Sequence, residues 1–72
     1  MATATFDVVG MTCGHCEASV REEVLSIGDI SDAVADASQG ILVVTTVDVV
    51  GEQLARAVVA AVGEAGYTAQ PR

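Results

Sequence analysis

Both cysteines and the sole histidine of the chain fall within one short run, Gly10-Met11-Thr12-Cys13-Gly14-His15-Cys16. Two cysteines separated by two residues bring both sulfurs within reach of one ion. With the first on a loop and the second in the opening turn of a helix, unsatisfied backbone N–H groups and the helix dipole favour thiolate, the form that binds metal. Two thiolates with no further fixed ligand suit a soft cation of low coordination number, of which Cu(I) is the physiological example. A closed Zn(II) site is tetrahedral, and the run offers only His15 besides Cys13 and Cys16. Exposed thiols at a turn are otherwise avoided, so the pair reads as functional rather than as two small apolar residues near a helix start.

The neighbours of the pair carry two readings each. His15 is either a solvated polar residue or an imidazole that eases thiolate formation or acts as an outer ligand. Met11 offers a thioether, but a Met just after a strand more often fills the core beneath a loop, and that reading is preferred. Thr12 is a candidate helix cap.

These residues need elements to position them. Ala4, Phe6 and Val8 alternate with Thr5, Asp7 and Val9, which predicts a strand with one buried face, ended by Gly10. From about Gly14 to Ser26, Cys16, Val20, Val24 and Ile27 recur at helical spacing, with Glu17, Arg21, Glu22 and Glu23 on other faces. Gly28-Asp29 closes that helix. Ile30 to Ala37 predicts a strand with Ala33, Ala35 and Ala37 on one face and Asp32, Val34 and Asp36 on the other, although alanine is a weak strand former. Ser38-Gln39-Gly40 is a hairpin turn into a strand over Ile41–Val47. Leu54, Val58, Ala61, Val62 and Ala65 form the stripe of a second helix over about Gly51 to Glu64, which Gly66 stops. Tyr67 to Gln70 is a last short strand before Pro71. The order predicts an α+β chain: a ferredoxin-like βαββαβ sandwich, with a four-stranded antiparallel sheet and two helices on one face. All 72 residues are expected to form a single domain, with no linker or low-complexity run.

Composition narrows the function further. Hydrophobic residues make up 51% of the chain, which argues against disorder, yet Phe6 and Tyr67 are its only aromatics, so the core must be compact and aliphatic. A chain of this size has no spare elements for a deep substrate cleft, which argues against an enzyme. Ten acids oppose three arginines, for a net charge of −7. Arg21, Arg56 and Arg72 are too scattered to follow a phosphate backbone, and two separated aromatics make no stacking platform, so nucleic acid is a poor partner. The acidic surface serves solubility or, if it steers an encounter, meets a basic partner. No stretch has the length of a membrane span, and the N-terminus lacks the basic start and apolar centre of a signal peptide, so a cytoplasmic location without membrane insertion is expected. In that reducing setting the cysteines read as ligands or redox groups rather than a structural disulfide.

Taken together, motif, element order and ending resemble the heavy-metal-associated domain family: soluble copper chaperones of the bacterial type, and the N-terminal metal-binding domains of heavy-metal-transporting P-type ATPases. The resemblance covers nearly the whole chain and rests on Gly10-Met11-Thr12-Cys13 with Cys16, on Val20 and Val24, on the hairpin before Ile41, and on Ala65-Gly66-Tyr67. It implies Cu(I) held by Cys13 and Cys16 in nearly linear geometry, with Met11 a buried support of the loop. It also implies copper over zinc, because family members that prefer Zn, Cd or Pb often have Asp where this chain has Thr12. His15 matches a residue found between the cysteines of some bacterial copper chaperones. Tyr67 matches a position near the metal loop that is commonly Tyr in those chaperones; packing the end of the core is its plainer role, and the two are compatible. The chain departs from the family where Gly28-Asp29-Ile30 replaces a common Gly-Val entry to the second strand, and in a second helix that runs longer than usual.

The expected function is a cytosolic copper chaperone that passes Cu(I) by ligand exchange to a copper-transporting P-type ATPase. Three alternatives accompany it. One is the same domain as the N-terminal module of such an ATPase, although Met1 and an end soon after Gly66 favour a complete small protein. Another is a carrier of Zn(II) or another thiophilic ion, with a metal-bridged homodimer as one form. The third is a thiol oxidoreductase, since Cys13-Gly14-His15-Cys16 matches the dithiol of protein disulfide isomerases. The context opposes this last reading: no Trp precedes the pair, and the only proline is Pro71.

Overall fold

The alternation in the first strand, β1 (Ala2–Val9), places Phe6 and Val8 in the core, while Thr3 and Val9 are exposed. The computed structural model describes residues 2–12, 14–47 and 51–72. After β1 come α1 (Gly14–Leu25), β2 (Ile30–Asp36), β3 (Ile41–Thr46), α2 (Glu52–Glu64) and β4 (Thr68–Pro71). The sheet order is β2-β3-β1-β4, and every pairing is antiparallel. This is the ferredoxin-like βαββαβ arrangement that the element order predicts.

Register explains which residues meet in the core. Phe6 lies opposite Leu42 and Ala4 opposite Val44, so β1 and β3 send side chains of matching parity inward. From the helices Val20 and Val24 of α1 and Val58 and Val62 of α2 descend onto them, all fully buried. Thr46 is the one buried polar residue among those described, and no described buried side-chain oxygen or nitrogen lacks a partner.

β2 departs from simple alternation. Ile30 pairs with Thr46 and Asp32 with Thr45, a register shift that makes Ser31 an extra residue. The bulge lets Ile30 and Ala33, of opposite parity, both turn inward. Ala35 and Ala37 pack against the same core, half-buried, and Val34 faces solvent, as the alanine pattern predicts. Packing therefore overrides the weak strand propensity of alanine.

Boundaries shift by a residue or two from the sequence expectation, each for a local reason. Ala37 leaves β2 because its N–H turns to a side chain of α1. Val47 falls just past β3, its N–H directed at the Asp29 carbonyl at a long 3.4 Å. Tyr67 precedes β4 because its N–H, 3.1 Å from the Val62 carbonyl, still belongs to the end of α2. Thr12 stands two residues before the first helical residue, Gly14. At the family departure around Gly28-Asp29, the chain turns tightly, with Ile30 N–H on the Ile27 carbonyl at 3.1 Å.

Candidate metal centre

The site begins where β1 runs out at Val9. Gly10 has φ +94°, and a β-carbon there would lie 3.3 Å from Tyr67 Cδ1. Any other residue would strain the backbone and press on the ring, so glycine is dictated twice over. Met11 then plunges into the core, 4% exposed, among the cluster that holds Phe6, Val8, Val20 and Val24. Its thioether packs beneath the segment rather than facing solvent. Thr12 resurfaces and is exposed. Cys13 lies outside the described residues, so its expected ligand role has no geometry here.

α1 takes over at Gly14. Gly14 and His15 are both exposed, which places the imidazole on the outer side of the first helical turn. Cys16 is half-buried and packs against the core cluster. It heads the stripe that continues to Val20 and Val24, one turn apart each, so its side chain sits at the rim where the inner face of α1 meets solvent. An acidic Glu17 follows in the same turn, favourably placed for the helix dipole.

Tyr67 reaches the site from the other half of the chain. α2 ends at Glu64, Ala65 N–H returns to Ala61 and Val62 carbonyls, and Gly66 adopts φ +96° to reverse the chain. The Tyr67 ring, half-buried, is thereby delivered onto Gly10. Of the sequence-predicted residues, the fold thus gathers Met11, Thr12, His15 and Cys16 on the β1–α1 junction, with Tyr67 against its first residue. Among the described residues no three His, Cys, Asp or Glu side chains converge.

Two residues of this region escaped the sequence reading. Glu17 Oε2 accepts the Ala37 backbone N–H at 2.7 Å, and Arg21 Nε donates to the Ala33 carbonyl at 3.0 Å. The sequence pattern shows both only as the polar side of α1. Their sole trace in the sequence was the spacing of four that stacks them on one flank of the Cys16–Val20–Val24 stripe. All three arginines are engaged with acids: Arg21 with Asp32 at 3.8 Å, Arg56 with Glu52 at 2.9 Å and Arg72 with Asp7 at 2.9 Å. Glu22, Glu23, Asp29 and Glu64 remain exposed as the source of the acidic surface.

No curated protein sequence matches this chain. Solved structures do. The chain is similar to the N-terminal domain of PacS from Synechocystis PCC6803, at TM-score 0.84 and 19% identity over 100% of this chain and 98% of that one. It is similar to the CopZ metallochaperone at TM-score 0.76 and 25% identity, over 96% of this chain and 100% of that one. Oxidised MerP from Ralstonia metallidurans CH34 matches at TM-score 0.83 and 25% identity, over 99% of this chain and 96% of that one. The family model for the heavy-metal-associated domain matches residues 5–68, from within β1 to the start of β4 and including the Gly10–Cys16 run, and the chain belongs to that family.

Proposed function

We propose that this chain is a Cu(I) carrier, acting in the cytoplasm, that holds the ion between the thiolates of Cys13 and Cys16 and delivers it to a copper-transporting P-type ATPase. The observation that carries the reading is the way the β1–α1 junction is anchored. Met11 is sunk in the core on one side and Cys16 is half-buried on the other, while Thr12, Gly14 and His15 between them are exposed. Such a segment is fixed at both ends and approachable in the middle. Ligand exchange needs that access, because an acceptor sulfur must attack the ion and share it with a donor sulfur before the donor leaves. A low-coordinate dithiolate allows this step, whereas a closed tetrahedral cage would retain its metal. The carrier performs no reaction of its own, and no described helix is long and apolar enough to cross a membrane.

Competition against a chelator of known Cu(I) affinity, without oxygen, tests the reading, with mass measured at each stoichiometry. The parent is expected to hold one Cu(I) per chain. Cys13→Ala and Cys16→Ala should each weaken binding by more than about a hundredfold, since loss of mere supporting groups around a metal already costs about 10- to 100-fold. A Cys13→Ala variant that held one Cu(I) as tightly as the parent would sink the proposal. A parallel Zn(II) titration in which zinc is held more tightly would reassign the cargo.

A further inference from the structure

β2 is an edge strand, and the backbone groups on its outer side have no neighbouring strand to meet. Side chains meet those of Ala33 and, just past the strand, the N–H of Ala37. Glu17 Oε2 takes the Ala37 N–H at 2.7 Å, Arg21 Nε gives its proton to the Ala33 carbonyl at 3.0 Å, and Asp32 Oδ1 takes the Ala33 N–H at 2.9 Å. Gly14 and Ala18 of α1 and Ala33 and Ala35 of β2 line an open depression between the two elements, with Glu17 and Arg21 also at its wall. Glu17 is adjacent to Cys16 in the chain and lies in the same helical turn, and its hydrogen bond spans twenty residues to the start of the β2–β3 turn.

We infer that Glu17 is a positioning residue for the metal-bearing turn: its carboxylate fixes the first turn of α1, and with it Cys16, to the backbone where β2 gives way to the β2–β3 turn. The inference rests on the Cu(I)-carrier reading for its functional consequence. A first helical turn has no preceding turn to bond to, and its N–H groups contribute nothing to holding it. Cys16 is only half-buried, so core packing there is incomplete. The Glu17–Ala37 bond supplies a fixed point beside the ligand, and Arg21 supplies a second one turn further on. Without the Glu17 bond the turn samples orientations in which Cys16 is misplaced. Apparent affinity then falls in proportion to the competent fraction.

Charge and hydrogen bonding can be separated at this position, because Glu17→Gln and Glu17→Ala both remove the negative charge but only glutamine keeps an oxygen that can accept the Ala37 proton. Three readouts are taken: amide exchange at Ala37 in the metal-free protein, the rate at which iodoacetamide modifies Cys16 in the metal-free protein, and Cu(I) competition with a chelator. In Glu17→Ala, Ala37 exchange and Cys16 alkylation should each accelerate by about threefold or more, and Cu(I) affinity should fall roughly three- to tenfold, the worth of one such hydrogen bond. In Glu17→Gln all three should stay within about twofold of the parent by the same measure. Equal effects from both substitutions would assign Glu17 a charge role and overturn the inference. Faster Ala37 exchange with unchanged alkylation and affinity would make the bond merely structural and overturn it as well. Should the parent take up no Cu(I), the carrier reading falls by itself, and the alkylation rates still decide whether Glu17 positions Cys16.

Discussion

The two helices lie on the same face of the sheet, yet they are held to it by different means. α2 is embedded: Val58 and Val62 are fully buried, and Leu54, Ala55, Val59 and Ala61 pack against the core around them. Its ion pair, Arg56 with Glu52, stays within the helix and exposed. α1 buries Val20 and Val24 to the same degree, but only Cys16 and Leu25 support them. Two of its polar residues reach out of the helix instead, Arg21 to the backbone of β2 at Ala33 and Glu17 to that of Ala37 just past its end. Under the proposed Cu(I)-carrier function the difference follows from what α1 carries. A thiol that exchanges metal has to remain reachable, so the first turn of α1 is left half-buried at Cys16, and directed hydrogen bonds stand in for the missing burial.

The comparison breaks most visibly in the core. Val24→Ala and Val62→Ala remove equally buried side chains from the two helices, and each should cost about 2 kcal/mol. Urea midpoints at constant slope measure this. A Val24→Ala cost below half that of Val62→Ala would mean that tethers rather than packing hold α1, and the shared-core half of the comparison would fail.

The tethers come next in size. Arg21→Ala loses the bond to the Ala33 carbonyl, and with its side chain 53% exposed the expected cost is about 1 kcal/mol after allowance for solvent. The 3.8 Å contact with Asp32 adds little to that, being exposed on both sides. Arg56→Ala removes an exposed pair one turn apart and should cost about 0.3–0.5 kcal/mol at most. Thermal or chemical unfolding of the two variants side by side gives the difference directly. Equal costs would erase the contrast between a helix tied to the sheet and one embedded in it.

Much of this architecture was legible in the residues because it is periodic. Phe6 and Val8 marked the inner face of β1, and Val58 and Val62 marked that of α2, since period alone sorts them. Met11 read as a core residue from its place after a strand, and it is buried. What stayed hidden depends on contacts between distant segments. The bulge at Ser31 that turns Ile30 inward has no local signature, because it is set by pairing with Thr45 and Thr46. The ring of Tyr67 on Gly10 links residues far apart in the chain, and only the family resemblance, not the local pattern, placed Tyr67 near that loop. Glu17 and Arg21 looked like any solvated helical face, and only the edge position of β2 gives them partners.

The smallest expected effect lies at the far end of the Glu17 tether, in the turn that follows β2. Asp36 Oδ1 accepts the Ser38 hydroxyl at 2.6 Å and the N–H groups of Ser38 at 2.9 Å and Gln39 at 3.4 Å. The Ser38 hydroxyl, chiefly, holds the Asp36 carboxyl below its ordinary range; desolvation opposes it, and the N–H groups of Ser38 and Gln39 add smaller contributions in the same direction as the hydroxyl. A depressed folded-state value means that ionised Asp36 favours the fold. Its contribution is therefore complete above the unfolded-state pKa and is lost as pH falls through the folded-state one. Ser38→Ala removes the leading donor, so a carboxyl titration of Asp36 followed by NMR should shift to higher pH in that variant. The stability gap between parent and variant should narrow as both are acidified. An unchanged Asp36 midpoint in Ser38→Ala would show that the backbone N–H groups alone order this turn, and that the anchor of the α1 tether at Ala37 owes nothing to the Ser38 side chain.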